Sequence, residues 1–207
     1  NGDKDAELLR PETKIKFMMG DIVEALLIYL AQEAGHKVTN QQAEIEIEGI
    51  KGHIDSFIDG ELVDIKSSSS YGMKKFKNGT LPDDDPFGYI DQISGYANAF
   101  KKKQATFVAF DKSTGEIATY THTKLSDTAA KIKKVKADTS MEEPPERAFA
   151  AVLDKQSGGK KLGVNCSYCS HKATCWAVPG IDTKFRSGRP VFLVKGSYKE
   201  KASVSTF

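Results

Sequence analysis

No stretch of this chain approaches the roughly 18 consecutive apolar residues that a membrane span needs. Cysteine is scarce. There are 3, an odd number, all between residues 166 and 175. That excludes a disulfide framework and reads instead as metal ligands or free thiols in a reducing, intracellular compartment. Charge of one sign is not in excess either. Lys and Arg number 30 against 28 Asp and Glu, a net charge of +2, so no polycationic or polyanionic tail dominates. No Gly-x-x-x-x-Gly-Lys loop is present, which excludes a nucleotide-driven motor of its own. There is no internal repeat. Nothing near the first residue resembles a signal peptide, and that residue is Asn rather than Met, so the natural N-terminus is expected upstream. With 28% charged and 39% hydrophobic residues, the 207-residue chain reads as an ordinary soluble globular protein of one domain.

The most informative stretch present is GHIDSFIDGELVDIKSSSS, residues 52–70. Asp59-Gly60 between alternating runs is the strongest short-range hairpin signal. A two-residue loop there pairs Ile58 with Glu61, Phe57 with Leu62 and Ser56 with Val63. The same register brings Asp55 directly opposite Asp64, with Cα atoms about 4.5–5.5 Å apart. Facing like charges are destabilising unless one is protonated or a cation lies between them. Lys66 projects from the same face as Asp64, and the register sets His53 opposite Lys66.

Residues 12–34 read as a helix with an apolar face of Phe17, Met18, Ile22, Leu26 and Leu30, joined by Val23 and Leu27. Residues 43–48 alternate as a strand, and with the hairpin 52–67 make a three-stranded antiparallel start. Residues 68–88, rich in Ser, Gly, Lys, Asp and Pro, read as a mobile loop. A second helix spans 89–103. A buried strand at 105–110 and its partner at 117–122 follow. Further helices are expected at 126–138, with Ser126 as N-cap, and at 144–154, then a strand at 190–194. The order predicts an α/β fold with a mixed central β-sheet flanked by helices.

Phosphodiester hydrolysis needs a cation on the phosphate and an activated water, and Mg²⁺ or Mn²⁺ prefers carboxylate and carbonyl oxygens. Asp55, Asp64 and the backbone carbonyl of Ile65 supply such oxygens, and Lys66 can orient the water. The bland alternative is a surface Asp64–Lys66 ion pair, worth roughly 0–1 kcal/mol. Lysine runs at Lys74, Lys75 and Lys77, at Lys101–Lys103, and at Lys131, Lys133, Lys134 and Lys136 are either solvated faces or contacts to a phosphate backbone.

The hairpin resembles the core of the PD-(D/E)xK nuclease superfamily, with Asp55 and Asp64-Ile65-Lys66 as its motifs. FMMGDIVEALL (17–27) and DQISGYANAF (91–100) narrow the resemblance to the RecB-like exonuclease branch, which includes phage recombination and CRISPR-associated nucleases. The resemblance implies a restriction-endonuclease-like core, Glu24 as a further acidic group at the metal, and Gln92 and Tyr96 as the Gln-x-x-x-Tyr motif. Four residues apart, those two share one helical face; the alternative is ordinary helix polarity with a core tyrosine. His53 either touches nucleic acid or tunes Lys66, or else is structural or merely exposed.

Cys166, Cys169 and Cys175, with two and five intervening residues, match a triplet that holds a [4Fe–4S] cluster in several RecB-like nucleases. The resemblance places a fourth cysteine before the first helix, hence upstream of Asn1. The rival is Zn²⁺ with His171 as fourth ligand. Either would staple residues 158–180 to a single nuclease domain. The expected protein is a Mg²⁺- or Mn²⁺-dependent exonuclease acting on DNA ends. Its setting would be recombination, repair or phage DNA processing in the cytoplasm of a prokaryote, with recombination or replication proteins as partners and no membrane. A non-catalytic DNA-end adaptor on the same fold and a structural zinc protein are the alternatives.

Overall fold

A computed structural model describes residues 11–143 and 145–198. The chain divides into two compact units, Asn1–Ala137 and Asp138–Phe207. In the first, α1 (Pro11–Glu33) precedes β1 (Val38–Thr39), β2 (Glu44–Ile47), β3 (Ile50–His53), β4 (Ser56–Ile58) and β5 (Glu61–Ser68). Then come α2 (Ser70–Asn78), a 3-10 turn (Leu81–Asp83), α3 (Tyr89–Ala99), β6 (Ala105–Asp111), β7 (Ile117–His122) and α4 (Thr128–Thr139). The central sheet runs β1-β4-β5-β6-β7 and is mixed: β5 and β6 are parallel, every other neighbour antiparallel. Parallel neighbours need a crossover, which α2 and α3 provide.

One sheet face packs Phe57, Leu62 and Phe107 against Met73 and Phe76 of α2 and Ile93 and Ala97 of α3. The other packs Val63 and Ile65 against Val23, Leu27 and Ile28 of α1. The mixed sheet flanked by helices is therefore as the sequence predicts.

The hairpin register holds for all three predicted pairs. Asp59 and Gly60 have φ of 50° and 80°, the left-handed pair that a type I′ turn requires. Other expectations are corrected. The ladder stops at Ser56–Val63, so Asp55 and Asp64 do not form the next strand pair. The chain bends there because Ile54 donates its N–H to Ala43 and Asp55 accepts that of Gln42. Accordingly β2 and β3 form a separate two-stranded sheet, and there is no three-stranded antiparallel start.

The segment 68–88 is no open loop. Ser69 caps α2 by accepting the Gly72 N–H, Gly79 ends it in the left-handed region, and Met73 and Phe76 are buried. A two-residue apolar stripe amid Ser and Lys is too short for a periodicity reading to find. At α4, Asp127 rather than Ser126 accepts the Ala130 N–H, while the Ser126 hydroxyl donates to Asp91. Described residues of 144–154 are not helical; Val152–Leu153 are a strand. On α1 the expected core residues Phe17, Met18, Ile22, Leu26 and Leu30 are exposed.

The second unit holds β8 (Val152–Leu153), β9 (Lys160–Lys161), α5 (Val164–Tyr168), α6 (Lys172–Cys175), β10 (Ile181–Arg186) and β11 (Arg189–Val194). Its sheet runs β10-β11-β9-β8 over a core of Leu162, Trp176 and Val194. The cysteine segment thus belongs to a unit with its own sheet. Buried Asp154 receives a two-pronged bond from Arg186, Nη1 and Nη2 each at 2.8 Å, and both the hydroxyl and the N–H of Ser157. Among the described residues no helix is long and apolar enough to cross a membrane.

Candidate active site

Strand β5 lies in the middle of the central sheet and carries Asp64 and Lys66 two residues apart, on one face. Asp64 is 2% exposed. The Lys66 ammonium stands 2.6 Å from Asp64 Oδ2, a close ion pair in which both side chains are largely buried. Lys66 donates to Gln92 Oε1 at 3.2 Å, and Gln92 Nε2 donates to the Tyr96 hydroxyl at 3.1 Å. The expected pairing of Gln92 and Tyr96 on one face of α3 is present, and it is aimed at Lys66.

Past the end of the β4–β5 ladder, Asp55 Oδ2 accepts the Ile65 N–H at 2.5 Å. The side chain thus replaces the strand partner that the bend removes. Glu24 reaches the cluster from α1 and accepts a bond from Gln42 Nε2 at 2.5 Å.

The electrostatics show three carboxylates in one another's field. Burial pushes Asp64 up to about 6; the charge and hydrogen bond of Lys66 oppose this, and the charges of Asp55 and Glu24 add to it. Burial also raises Asp55, against the Ile65 N–H and Lys66. Glu24 is raised by burial and then by the charge of Asp55, with the Gln42 bond opposing. Burial alone would lower Lys66, but the adjoining Asp64 carboxylate holds it above the ordinary lysine value. A further cation would relieve a buried carboxylate that has two acidic neighbours and one ammonium.

The donor set is right for a hard divalent ion: three carboxylates and the Ile65 carbonyl. It is not closed around one. Among the described residues, no three His, Cys, Asp or Glu side chains stand together so as to hold a metal, and Lys66 supplies the positive charge at Asp64.

The sequence reading missed Tyr89, whose ring centroid lies 5.0 Å from the Lys66 ammonium, and Gln42. Tyr89, Gln92 and Tyr96 at spacings of three and four share a helix face, so Tyr89 was within reach of a periodicity argument. Gln42 was not, since only the fold brings it to Glu24. His53 is not opposite Lys66. It pairs with Glu44 in the β2–β3 ladder, exposed, its Nε2 3.9 Å from a Glu44 oxygen.

Cys166, Cys169 and Cys175 are free thiols on α5, α6 and the turn between them, and His171 precedes α6. They too lie outside any metal-holding group among the described residues, so neither an iron–sulfur nor a zinc site gains support. Several lysines expected at phosphates have partners inside the protein: Lys75 with Asp84, Lys77 with Glu116, Lys131 with Asp91 and Lys133 with Glu48. Lys102 donates to the Gly60 carbonyl and Lys136 to that of Glu48.

No family model matches this chain, and no curated protein matches it. Distant likenesses occur among solved structures. The alkaline exonuclease LHK-Exo from Laribacter hongkongensis aligns at 19% identity and a TM-score of 0.43, over 60% of this chain and 64% of that one. The alignment thus spans just under two thirds of that enzyme. LHK-Exo in complex with dAMP aligns at 16% and 0.44, over 65% and 73%. The protein SSO0001 aligns at 18% and 0.45, over 80% of this chain and 71% of that one.

Proposed function

We propose that the first unit is a divalent-metal-dependent DNA nuclease of the PD-(D/E)xK type, hydrolysing phosphodiester bonds at DNA ends. The observation that carries this reading is the cluster itself: the buried Asp64 carboxylate, paired with Lys66 at 2.6 Å, in the field of Asp55 and Glu24.

In this reading Asp55, Asp64, Glu24 and the Ile65 carbonyl would hold Mg²⁺ or Mn²⁺. The metal, when bound, supplies a Lewis acid for the phosphate and lowers the pKa of a water. Lys66, fixed by Asp64, Gln92 and the Tyr89 ring, orients that water and stabilises its negative charge. Gln92 holds Lys66 and is itself held by Tyr96. A [4Fe–4S] cluster on Cys166, Cys169 and Cys175 stays a separate proposal that needs a ligand outside the described residues. A prokaryotic or phage-encoded cytoplasmic protein fits the reading.

Degradation of end-labelled linear DNA with Mg²⁺ or Mn²⁺ tests it. The parent chain is expected to shorten the label progressively, with loss in Lys66→Ala. DNA binding by the parent with no hydrolysis under either metal would favour a non-catalytic end-binding module.

A further inference from the structure

Gln42, in the turn between β1 and β2, serves two acidic residues of the cluster at once. Its backbone N–H donates to the Asp55 carbonyl at 3.1 Å. Its side-chain amide donates to Glu24 Oε1 at 2.5 Å. It makes both bonds at a φ of 53°, and Asn40, two residues earlier, has a φ of 54°. Asn enters that left-handed region with some ease, but Gln is uncommon there. Glycine would sit at this position without strain and keep the same backbone bond. What glycine could not supply is the amide on Glu24. Backbone strain of this kind gathers where the surrounding structure holds it for a purpose.

We propose that Gln42 is a positioning residue for the divalent cation, orienting the Glu24 carboxylate and anchoring the bend that carries Asp55. This rests on the metal-dependent nuclease reading of the site.

The chemistry of the donor favours that role. A carboxamide fixes one carboxylate oxygen and adds no positive charge, so Glu24 keeps its charge for a metal. A lysine or arginine in its place would supply the charge that the metal is to bring. Burial and the Asp55 charge both disfavour ionised Glu24, and the Gln42 bond works against them. The backbone bond does the rest. With the Ile54 N–H held by the Ala43 carbonyl, it fixes the bend from which Asp55 Oδ2 accepts the Ile65 N–H. One turn thereby sets an acid from α1 and an acid ahead of β4. At metal sites, hydrogen-bond partners of the ligating carboxylates typically contribute 10–100-fold in metal affinity.

Calorimetric titration of Mn²⁺ into the full chain without DNA tests this, on the parent, Gln42→Gly, Glu24→Gln and the double variant. Gln42→Gly keeps the backbone N–H and relaxes the turn, so its urea midpoint is expected close to the parent's. Its Mn²⁺ Kd is expected to rise about 10–100-fold. Because the amide acts through Glu24, the double variant should bind hardly more weakly than Glu24→Gln alone. In hydrolysis, Gln42→Gly should raise the Mn²⁺ concentration for half-maximal rate by the same factor, with a smaller fall in the rate at saturating Mn²⁺. Unchanged or tighter Mn²⁺ binding by Gln42→Gly, or losses that add in the double variant, overturns the positioning role and leaves the nuclease reading standing. A parent that binds no Mn²⁺ overturns the metal reading and this inference with it.

Discussion

Asp64 and Asp154 are both almost sealed from solvent and both face a basic side chain, yet their surroundings treat them in opposite ways. Asp154 takes two bonds from the Arg186 fork and two from Ser157, and these bonds hold its carboxyl well below the usual range. Asp64 has one ammonium at 2.6 Å and two acidic neighbours, and is pushed up to about 6. The guanidinium fork satisfies a buried carboxylate in a fixed geometry, which a single ammonium cannot do. The first arrangement ties together loop and strand in the second unit. The second leaves an excess of negative charge, the kind of imbalance that the proposed metal would correct.

The largest effect that separates the two is on catalysis. Lys66→Ala is expected to reduce Mg²⁺-dependent DNA degradation by about 10²–10⁴-fold, measured as initial rates on end-labelled substrate.

The pH response comes next, and its sign differs between the two aspartates. Asp154 is depressed on folding, so its contribution is complete above the unfolded carboxylate value and disappears as pH falls through the folded one. Asp64 is raised, so its contribution is complete below the unfolded value of about 3.9 and is lost as pH rises through about 6. Urea unfolding between pH 3 and pH 8 checks both. Fluorescence of Trp176, the sole tryptophan, reports the second unit and should show it weakening towards pH 3. Hydrogen exchange at β5 should show its protection falling between pH 4 and pH 7.

A smaller effect is expected at Tyr89. Tyr89→Leu removes the ring over the Lys66 ammonium and should lower the rate about 2–10-fold, whereas Tyr89→Phe keeps the ring and most of the rate. The smallest concerns His53→Ala, expected to stay within about twofold of the parent, since that side chain is exposed on a different sheet.

Local rules made much of this legible. Asp59-Gly60 dictated the turn and three ladder pairs, and the Gln92/Tyr96 spacing put both on one face of α3. What failed was extension of a local rule beyond its reach. The register was carried on to Asp55, but hydrogen bonds to Gln42 and Ala43 take the chain elsewhere one residue short of it. The apolar stripe on α1 was read as core because periodicity does not say which of two stripes meets the sheet. Gln42 beside Glu24 is a product of tertiary packing with no sequence signal.

The central claim is that Asp64, with one ammonium among three carboxylates, serves a cation, while Asp154, held by a guanidinium fork, serves structure. Denaturant unfolding of Asp64→Asn and Asp154→Asn in chelator at pH 8 tests it most directly, with Trp176 fluorescence for the second unit and hydrogen exchange at β5 for the first. Asp154→Asn should cost about 2–4 kcal/mol, because it leaves Arg186 half-partnered. Asp64→Asn should cost less, about 0–2 kcal/mol, because the burial cost and carboxylate repulsion it removes offset the loss at Lys66, which keeps Asp55 as a neighbour. A loss at Asp64→Asn as large as that at Asp154→Asn would contradict the account.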